Sequence, residues 1–516
     1  MSSENTRRIA KNTGFLYIRM LLTMGVAFYT SRVVLNALGV EDYGIYNVVG
    51  GVVAMFSFLT GMFTSATQRF LNYEMGLGNQ KRLSEIFSMS ITLNAMIAVL
   101  IVLVSEIVGL WFINHKLVIP DDRLTAAHWV FQFSLLAMAV TIISTPYNAV
   151  IIAHERMSAF AYIAVAECLL KLGVAVVIVF CGGDKLIVYG ALLLAVAFIV
   201  RAIYSLYCRK NFEECHYKFY WDKVLFREMG AFAGWNMYGN FAFVMTTQGV
   251  NMLLNMFFGP AVNASRAIAV QIQSAIMGFA TNFTMAINPQ IVQNYAQERR
   301  ENMYRYVFWG AKFSFFLLLI LIVPVLLETE FLLKIWLKQI PDYSIVFVRL
   351  ILIQTLLWIL HVPLHSAIHA SGKMKRYQLI TGTFSLLSIP FVYMILRLGG
   401  TPPSVFLVYI GTYFIYIFIL LFILKDTINF PVKSFISEVL LVVFVTAFFI
   451  FFLILPVLYV TKDYPLYLRV LLRELWGGMV CVTIIFRIGM KREERIKVKE
   501  YILIFFSKFK KFNVLK

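Results

Sequence analysis

The sequence is short of charge. Only 14% of its 516 residues are Asp, Glu, Lys or Arg, against about 25% in a soluble domain. Acids are the scarcer sign, 27 against 46 Lys and Arg. The five cysteines, Cys168, Cys181, Cys208, Cys215 and Cys481, form no CxxC and no metal-ligand spacing, which argues against a zinc site or a disulfide scaffold. No GxxxxGK[ST] occurs, so a P-loop ATPase is excluded. No polar stretch is long enough to carry its own core. The sequence has apolar residues instead: 60% of the chain is hydrophobic and the mean hydropathy is +0.78.

A bilayer-spanning helix needs about 20 mostly apolar residues. Fourteen such stretches follow one another: 13–38, 44–71, 86–114, 125–152, 160–181, 186–208, 230–258, 261–292, 307–335, 344–370, 378–397, 404–424, 435–460 and 467–489. They predict an all-α integral membrane protein. The N-terminal MSSENTRRIAKNTG is polar and basic and runs into a long span, which predicts a retained first helix and not a cleaved signal. Alternate connections are basic, through Arg7 and Arg8, Lys81 and Arg82, Arg156, Arg209, Arg299 and Arg300, Lys373 and Lys375, Lys425 and Lys433. By the positive-inside rule both termini are cytoplasmic. The net charge of +19 therefore follows topology and implies no nucleic acid. The tail 491–516 mixes lysines with aromatics, as expected of a basic amphipathic segment lying on the inner leaflet.

Two stretches are alike. LNALGVEDYGIYNVVGG from Leu35 and LNMFFGPAVNASRAIAV from Leu254 each leave one span through a Gly-led turn, at Gly39 or Gly259, and enter a long span rich in Gly, Ser, Thr and Met. They lie six spans apart. Six is even, so the halves run in the same sense, as in parallel-repeat transporters. The expected organisation is an N-lobe over 1–210, a C-lobe over 211–430, two further helices over 431–490 and the tail 491–516.

Polar residues inside spans mark candidate cavity linings, because asparagine facing lipid is costly. Asn236, Asn240, Thr247, Asn251 and Asn255 of the seventh span share an arc of roughly 100°, with Gln248 at its border. The eighth span adds Gln271, Ser274 and Asn282; the second adds Thr64 and Gln68. Interhelical hydrogen bonding is the other use of such stripes.

A cation in the slab costs about 2.5–3.5 kcal/mol even on the mildest scale. Arg19 and Arg32, Lys171 and Arg201 are therefore unlikely to face lipid, and Arg19 and Arg32 are substrate-binding candidates. Arg69, Lys312 and Arg487 near the inside, and Arg266, Arg349 and Arg473 near the outside, have snorkelling as their default. Glu167 lies one turn before Lys171, so the two can pair, either structurally or as a coupling site. His361, His365 and His369 repeat at i, i+4, i+8 and suit polar lining, proton or substrate contact, or, with a further ligand, a metal; no metal or other cofactor is expected. The spans hold more cations than acids, which favours an anionic substrate.

The stretch LGVEDYGIYNVV at Leu38–Val49 resembles the start of the polysaccharide transporters, which include the O-antigen flippases of the multidrug/oligosaccharidyl-lipid/polysaccharide exporter superfamily. The resemblance implies two six-helix lobes and no enzyme activity. It implies transport of an undecaprenyl-pyrophosphate-linked oligosaccharide across a bacterial cytoplasmic membrane by alternating access. It also implies membrane lipids and, from the same pathway, a polysaccharide polymerase and glycosyltransferases as partners. The second half departs from the motif, since Gly259-Pro260-Ala261 has no Tyr-Gly. The alternatives are a multidrug and toxin extrusion antiporter, a lipid II flippase, or a membrane polymerase or glycosyltransferase.

Overall fold

A computed structural model describes the backbone of residues 3–57, 67, 70–71, 74–75, 79–154, 156–371 and 373–496. Side chains are described from Met20 onward, except at 57, 157, 229–237, 282, 285, 286, 289, 293, 296 and 374. Gln68 and the end of the tail lie outside the described residues.

Among the described residues there are helices and no strands, and each of the fourteen apolar stretches has a helical counterpart. Among the described residues, eleven helices are long and apolar enough to cross a membrane by length and composition. Three spans do not count separately, for visible reasons. The first and second merge into one helix, Ser3–Ala54. Pro260–Ala296 is too polar on one side, and Leu466–Ile484 carries Arg469, Arg473 and Glu474.

The glycine-led turns of the two similar stretches adopt one conformation. Gly39 has φ 81° and ψ 173°; Gly259 has φ 80° and ψ −179°. Side chains rarely tolerate that region and glycine does, so both turns depend on the residue that the repeat places there. Two predicted single spans are broken. The ninth divides at Glu328 into Arg300–Leu327 and Thr329–Trp336. The tenth divides before His361 into Ser344–Ile359 and His361–Ser371, where Pro363 lacks an amide hydrogen and its ring opposes the carbonyl four residues back.

Contacts divide the chain into two compact units. The first comprises 1–275, 333–351 and 374–412; the second comprises 276–332, 352–373 and 413–516.

In the first unit, helix connections are pinned on both faces. At one end of the helices, Arg123 bridges Asp42 (2.6 Å) and Asp184 (2.8 Å), with a second bond to each. One guanidinium thus ties the connections after the first, third and fifth spans, using the planar fork that suits two carboxylates. Asp184 also caps the next helix by accepting from the amides of Leu186 and Ile187. At the opposite end, the buried Glu214 accepts from Gln80 (3.2 Å) and meets His154 Nε2 at 2.5 Å. This joins the connections after the second, fourth and sixth spans. The His154 ring stacks on Phe212, with centroids 4.2 Å apart.

The second unit is held by two buried ion pairs of opposite polarity. Lys312 Nζ lies 2.6 and 2.7 Å from the two carboxylate oxygens of Glu494. Arg473 donates to Glu328 (2.9 Å), to Thr461 Oγ1 (2.8 Å) and to the Leu458 carbonyl (3.1 Å). The fourteenth span and the segment after it are thereby fastened to the ninth span at both of its ends. A Cβ at Gly489 would meet the Phe316 ring at 2.6 Å, so only glycine allows the chain to cross so closely there. Lys312 and Arg473 do not snorkel, contrary to expectation. Each is buried, with a side chain 4% and 13% exposed, because a carboxylate distant in sequence reaches it.

Removing one member of a buried pair strands the other charge and costs about 3–5 kcal/mol. Lys312→Met or Glu494→Leu alone should therefore sharply lower the melting temperature of the detergent-purified protein, and the double variant should recover most of the loss. Wild-type melting of both single variants would show that the pair does not hold this end of the unit. A second expectation concerns acid. Burial pushes the Glu214 carboxyl up, but His154, its own amide and Gln80 outweigh it and hold it below its usual range. The resulting stability is present above the ordinary carboxylate range and lost as pH falls through the lowered folded value. The wild-type melting temperature should fall on acidification, and Glu214→Gln should start lower at neutral pH and change less through that window.

Candidate functional site

The first unit contains a cavity of about 590 Å³, within the usual size range of small-molecule sites. Its wall is built by Thr30 before the Gly39 turn and Tyr46 after it, by the fourth span from Ala137 to Asn148, by Glu167 and Lys171 of the fifth span, and by the sixth span from Tyr189 to Tyr204.

The fourth span supplies the polar stripe. Thr141, Ser144, Thr145 and Asn148 lie at i, i+3, i+4 and i+7, one face of a helix. The three hydroxyls donate to carbonyls of their own helix, Ala137, Val140 and Thr141, at 2.9, 2.7 and 3.3 Å. Their oxygens keep acceptor capacity for a visitor. Pro146 lies within the same helix and has no amide hydrogen, so one carbonyl on this stretch loses its helical partner.

Among the described residues, three charged ones line the cavity. Lys171 Nζ donates to Glu167 Oε1 at 2.6 Å, one turn along the helix as expected. Arg201 lies over the Tyr147 ring at 5.9 Å from the centroid. Its Nη1 is buried without a hydrogen-bond partner, as are Asn148 Oδ1 and Thr30 Oγ1. Two tyrosines from different helices, Tyr46 and Tyr189, meet edge to face at 4.8 Å on the cavity wall. The site therefore offers a planar cation, free acceptors and donors, and aromatic faces, with Lys171 neutralised by its neighbour.

The structure gives the other candidates different uses. Asn255 is fully buried; its Oδ1 accepts from the Val118 amide (2.8 Å) and its Nδ2 donates to the Val118 carbonyl (3.3 Å). Asn251 donates to the Asn47 carbonyl (3.0 Å) and accepts from Asn263 (2.8 Å). Both amides tie helices together. Thr247 bonds to its own helix at Phe243, and its carbonyl accepts from Arg266 (2.9 Å). Asn240 is exposed. Gln271 donates to the Ala27 carbonyl (2.9 Å), and Arg32 to the Ile335 carbonyl (3.3 Å) beside the Trp336–Phe28 contact. The side chains of Arg19, Asn236 and Asn282, and the whole of Gln68, lie outside the described residues.

His361 is buried with Nε2 3.1 Å from the Tyr413 carbonyl and its ring 4.8 Å from that of Tyr416, on which His365 also stacks. His369 is exposed. Of the candidate residues read from the sequence, Glu167 and Lys171 line the cavity. The sequence marks Arg201 only as a cation that should avoid lipid, and it does not single out Thr30 or Asn148. The four-residue stripe of the fourth span was the sequence signal that could have found Asn148.

Comparisons with known proteins agree with this architecture. A model described as polysaccharide biosynthesis protein matches residues 9–294, and a second, MatE, matches 237–394. No curated protein matches by sequence. Among solved structures, the lipid II flippase MurJ in an inward closed conformation superposes with a TM-score of 0.68 at 14% identity, covering 92% of this chain and 98% of that one. An inward-facing multidrug resistance MATE family transporter of the MOP superfamily gives 0.63 at 12% identity, covering 81% and 96%. A MOP superfamily transporter from Pyrococcus furiosus, described as having reversed polarity in its binding pocket, gives 0.56 at 12% identity, covering 82% and 96%. With the first family model spanning more than half of its length, and with the fold of the MOP superfamily transporters, the chain belongs to the polysaccharide biosynthesis protein family.

Proposed function

We propose that this protein is a flippase that carries an undecaprenyl-pyrophosphate-linked oligosaccharide, an O-antigen, capsule or exopolysaccharide repeat unit, across the bacterial cytoplasmic membrane. The observation that carries the reading is the cavity of the first unit, where Arg201 and Lys171 outnumber Glu167 among hydroxyl, amide and tyrosine side chains. Hydroxyls and amides suit sugars. Cations suit an anionic head group, and arginine does so with directed donors. A polyprenyl chain has no need of a polar pocket and can stay in lipid while the head crosses. Family membership and a fold shared with a lipid II flippase support the same reading. The protein acts as a transporter and not an enzyme, by alternating access, with lobes over 1–210 and 211–430, both termini in the cytoplasm and 431–490 as additional helices. Arg19 and Arg32 remain proposed contacts for the head group, and Glu167 with Lys171 the proposed coupling pair. The polymerase and glycosyltransferases of the pathway would act before and after it.

A multidrug antiporter has the MatE match in its favour. The charge of the cavity speaks against it, because a cationic drug wants a surplus of carboxylate. Lipid II is the closer competitor, since it shares the lipid-pyrophosphate-sugar plan.

The test is reconstitution of the full chain into liposomes holding a defined polyprenyl-pyrophosphate oligosaccharide, with parallel arms for lipid II and a cationic dye. Faster transfer of the oligosaccharide head group between leaflets than in empty liposomes is expected, and Lys171→Ala should slow it roughly tenfold. Transfer of lipid II alone would assign that substrate instead. Dye export abolished by Glu167→Gln would favour the antiporter, and no transfer of any head group would overturn the flippase reading.

A further inference from the structure

We infer that Arg201, Asn148 and Thr30 form a subsite for a sugar that carries a carboxylate, so that the repeat unit handled by this protein contains an acidic sugar. The inference rests on the flippase reading of the cavity and adds the chemistry of one sugar within the cargo.

Charge comes first. Among the described residues, the charged ones lining the cavity are Glu167, Lys171 and Arg201. Lys171 and Glu167 cancel at 2.6 Å, which leaves Arg201 as the uncompensated charge. A monoanion balances it. A pyrophosphate, with more than one negative charge, would overshoot that balance, so the pyrophosphate of the cargo is assigned to the head-group contacts proposed at Arg19 and Arg32 and not to this subsite.

Hydrogen bonding sharpens the choice. Arg201 Nη1 is a donor that lacks a partner, so it asks for an acceptor. Asn148 Oδ1 is an acceptor that lacks a partner, so it asks for a donor. Thr30 Oγ1 can serve either way. Arg201, Asn148 and Thr30 all line the same cavity, so both demands fall on one site. A pyrophosphate diester is all acceptor and leaves Asn148 Oδ1 unsatisfied. A neutral sugar supplies donors but leaves the guanidinium without its counter-charge. A uronic acid carries both, a carboxylate that can take the planar guanidinium fork and ring hydroxyls that donate. Buried polar atoms left unpaired cost about 1–3 kcal/mol each, so a ligand that satisfies both atoms is preferred over one that satisfies either. Tyr46 and Tyr189 on the wall offer flat apolar faces for the underside of a sugar ring.

The expected ligand is testable without lipid. Isothermal titration of the detergent-purified full chain would use a trisaccharide containing glucuronic acid, the same trisaccharide with glucose in its place, acetate, and inorganic pyrophosphate. The acidic trisaccharide should bind at least tenfold more tightly than the neutral one and than acetate. Arg201→Gln should erase that preference while leaving weak neutral-sugar binding, and Arg201→Lys, which keeps the charge without the fork, should retain part of it. Asn148→Ala should weaken both sugars and spare the preference. Melting curves identify any variant that fails to fold, and the wild-type ligand series then decides alone. Equal binding of the two sugars, a preference that survives Arg201→Gln, tighter binding of pyrophosphate through Arg201, or no binding of either sugar would overturn the proposal. Fast flipping of a lipid-linked oligosaccharide made only of neutral sugars would sink this subsite and leave the flippase reading standing. Tight acidic-sugar binding without any flipping would do the reverse.

Discussion

A charge inside a bilayer has to find a counter-charge, a set of dipoles or water, and this chain is organised around that demand. Lys312 is met by Glu494, and Arg473 by Glu328 and two further oxygens. Arg266 spends a donor on the Thr247 carbonyl. Each of these converts an insertion penalty into a tie between helices. Arg201 differs: it lines a cavity, and its buried Nη1 has no hydrogen-bond partner. A donor left over in this way is the basis for proposing a ligand there.

The same logic explains how the cavity keeps its shape. The helices that wall it are joined at one end by Arg123 with Asp42 and Asp184, and at the other by Glu214 with Gln80 and His154. Both sets act through the connections at the ends of helices. Between those ends the walls need only pack, so the polar stripe of the fourth span is free of structural duties. In the second unit the fourteenth span and the segment after it are fastened along the ninth span, which carries charge at both ends.

A cavity that serves transport, as proposed for this one, must bind and release, so its contacts should be few and reversible. Hydroxyls already bonded to their own helix, a cation near a tyrosine ring and a lysine held by a glutamate supply attraction without deep commitment. Under the proposed reading this would suit an oligosaccharide head group, with the polyprenyl chain left to the lipid.

The sequence by itself determined much of the fold. Hydropathy placed the spans within a few residues, since a bilayer accepts few other patterns, and the glycines at 39 and 259 marked two turns of equal conformation. The Glu167–Lys171 pair was also legible, because its spacing lies within one helix. Periodicity told that Asn251 and Asn255 share a face with Asn236 but not what that face meets. Packing decided that Asn251 and Asn255 bond to the backbone at Asn47 and Val118, while the quieter stripe at Thr141, Ser144, Thr145 and Asn148 lines the cavity. Tertiary structure alone chose the partners of Lys312, Arg473 and Arg123, since those carboxylates lie far along the chain and only folding brings them within hydrogen-bonding reach.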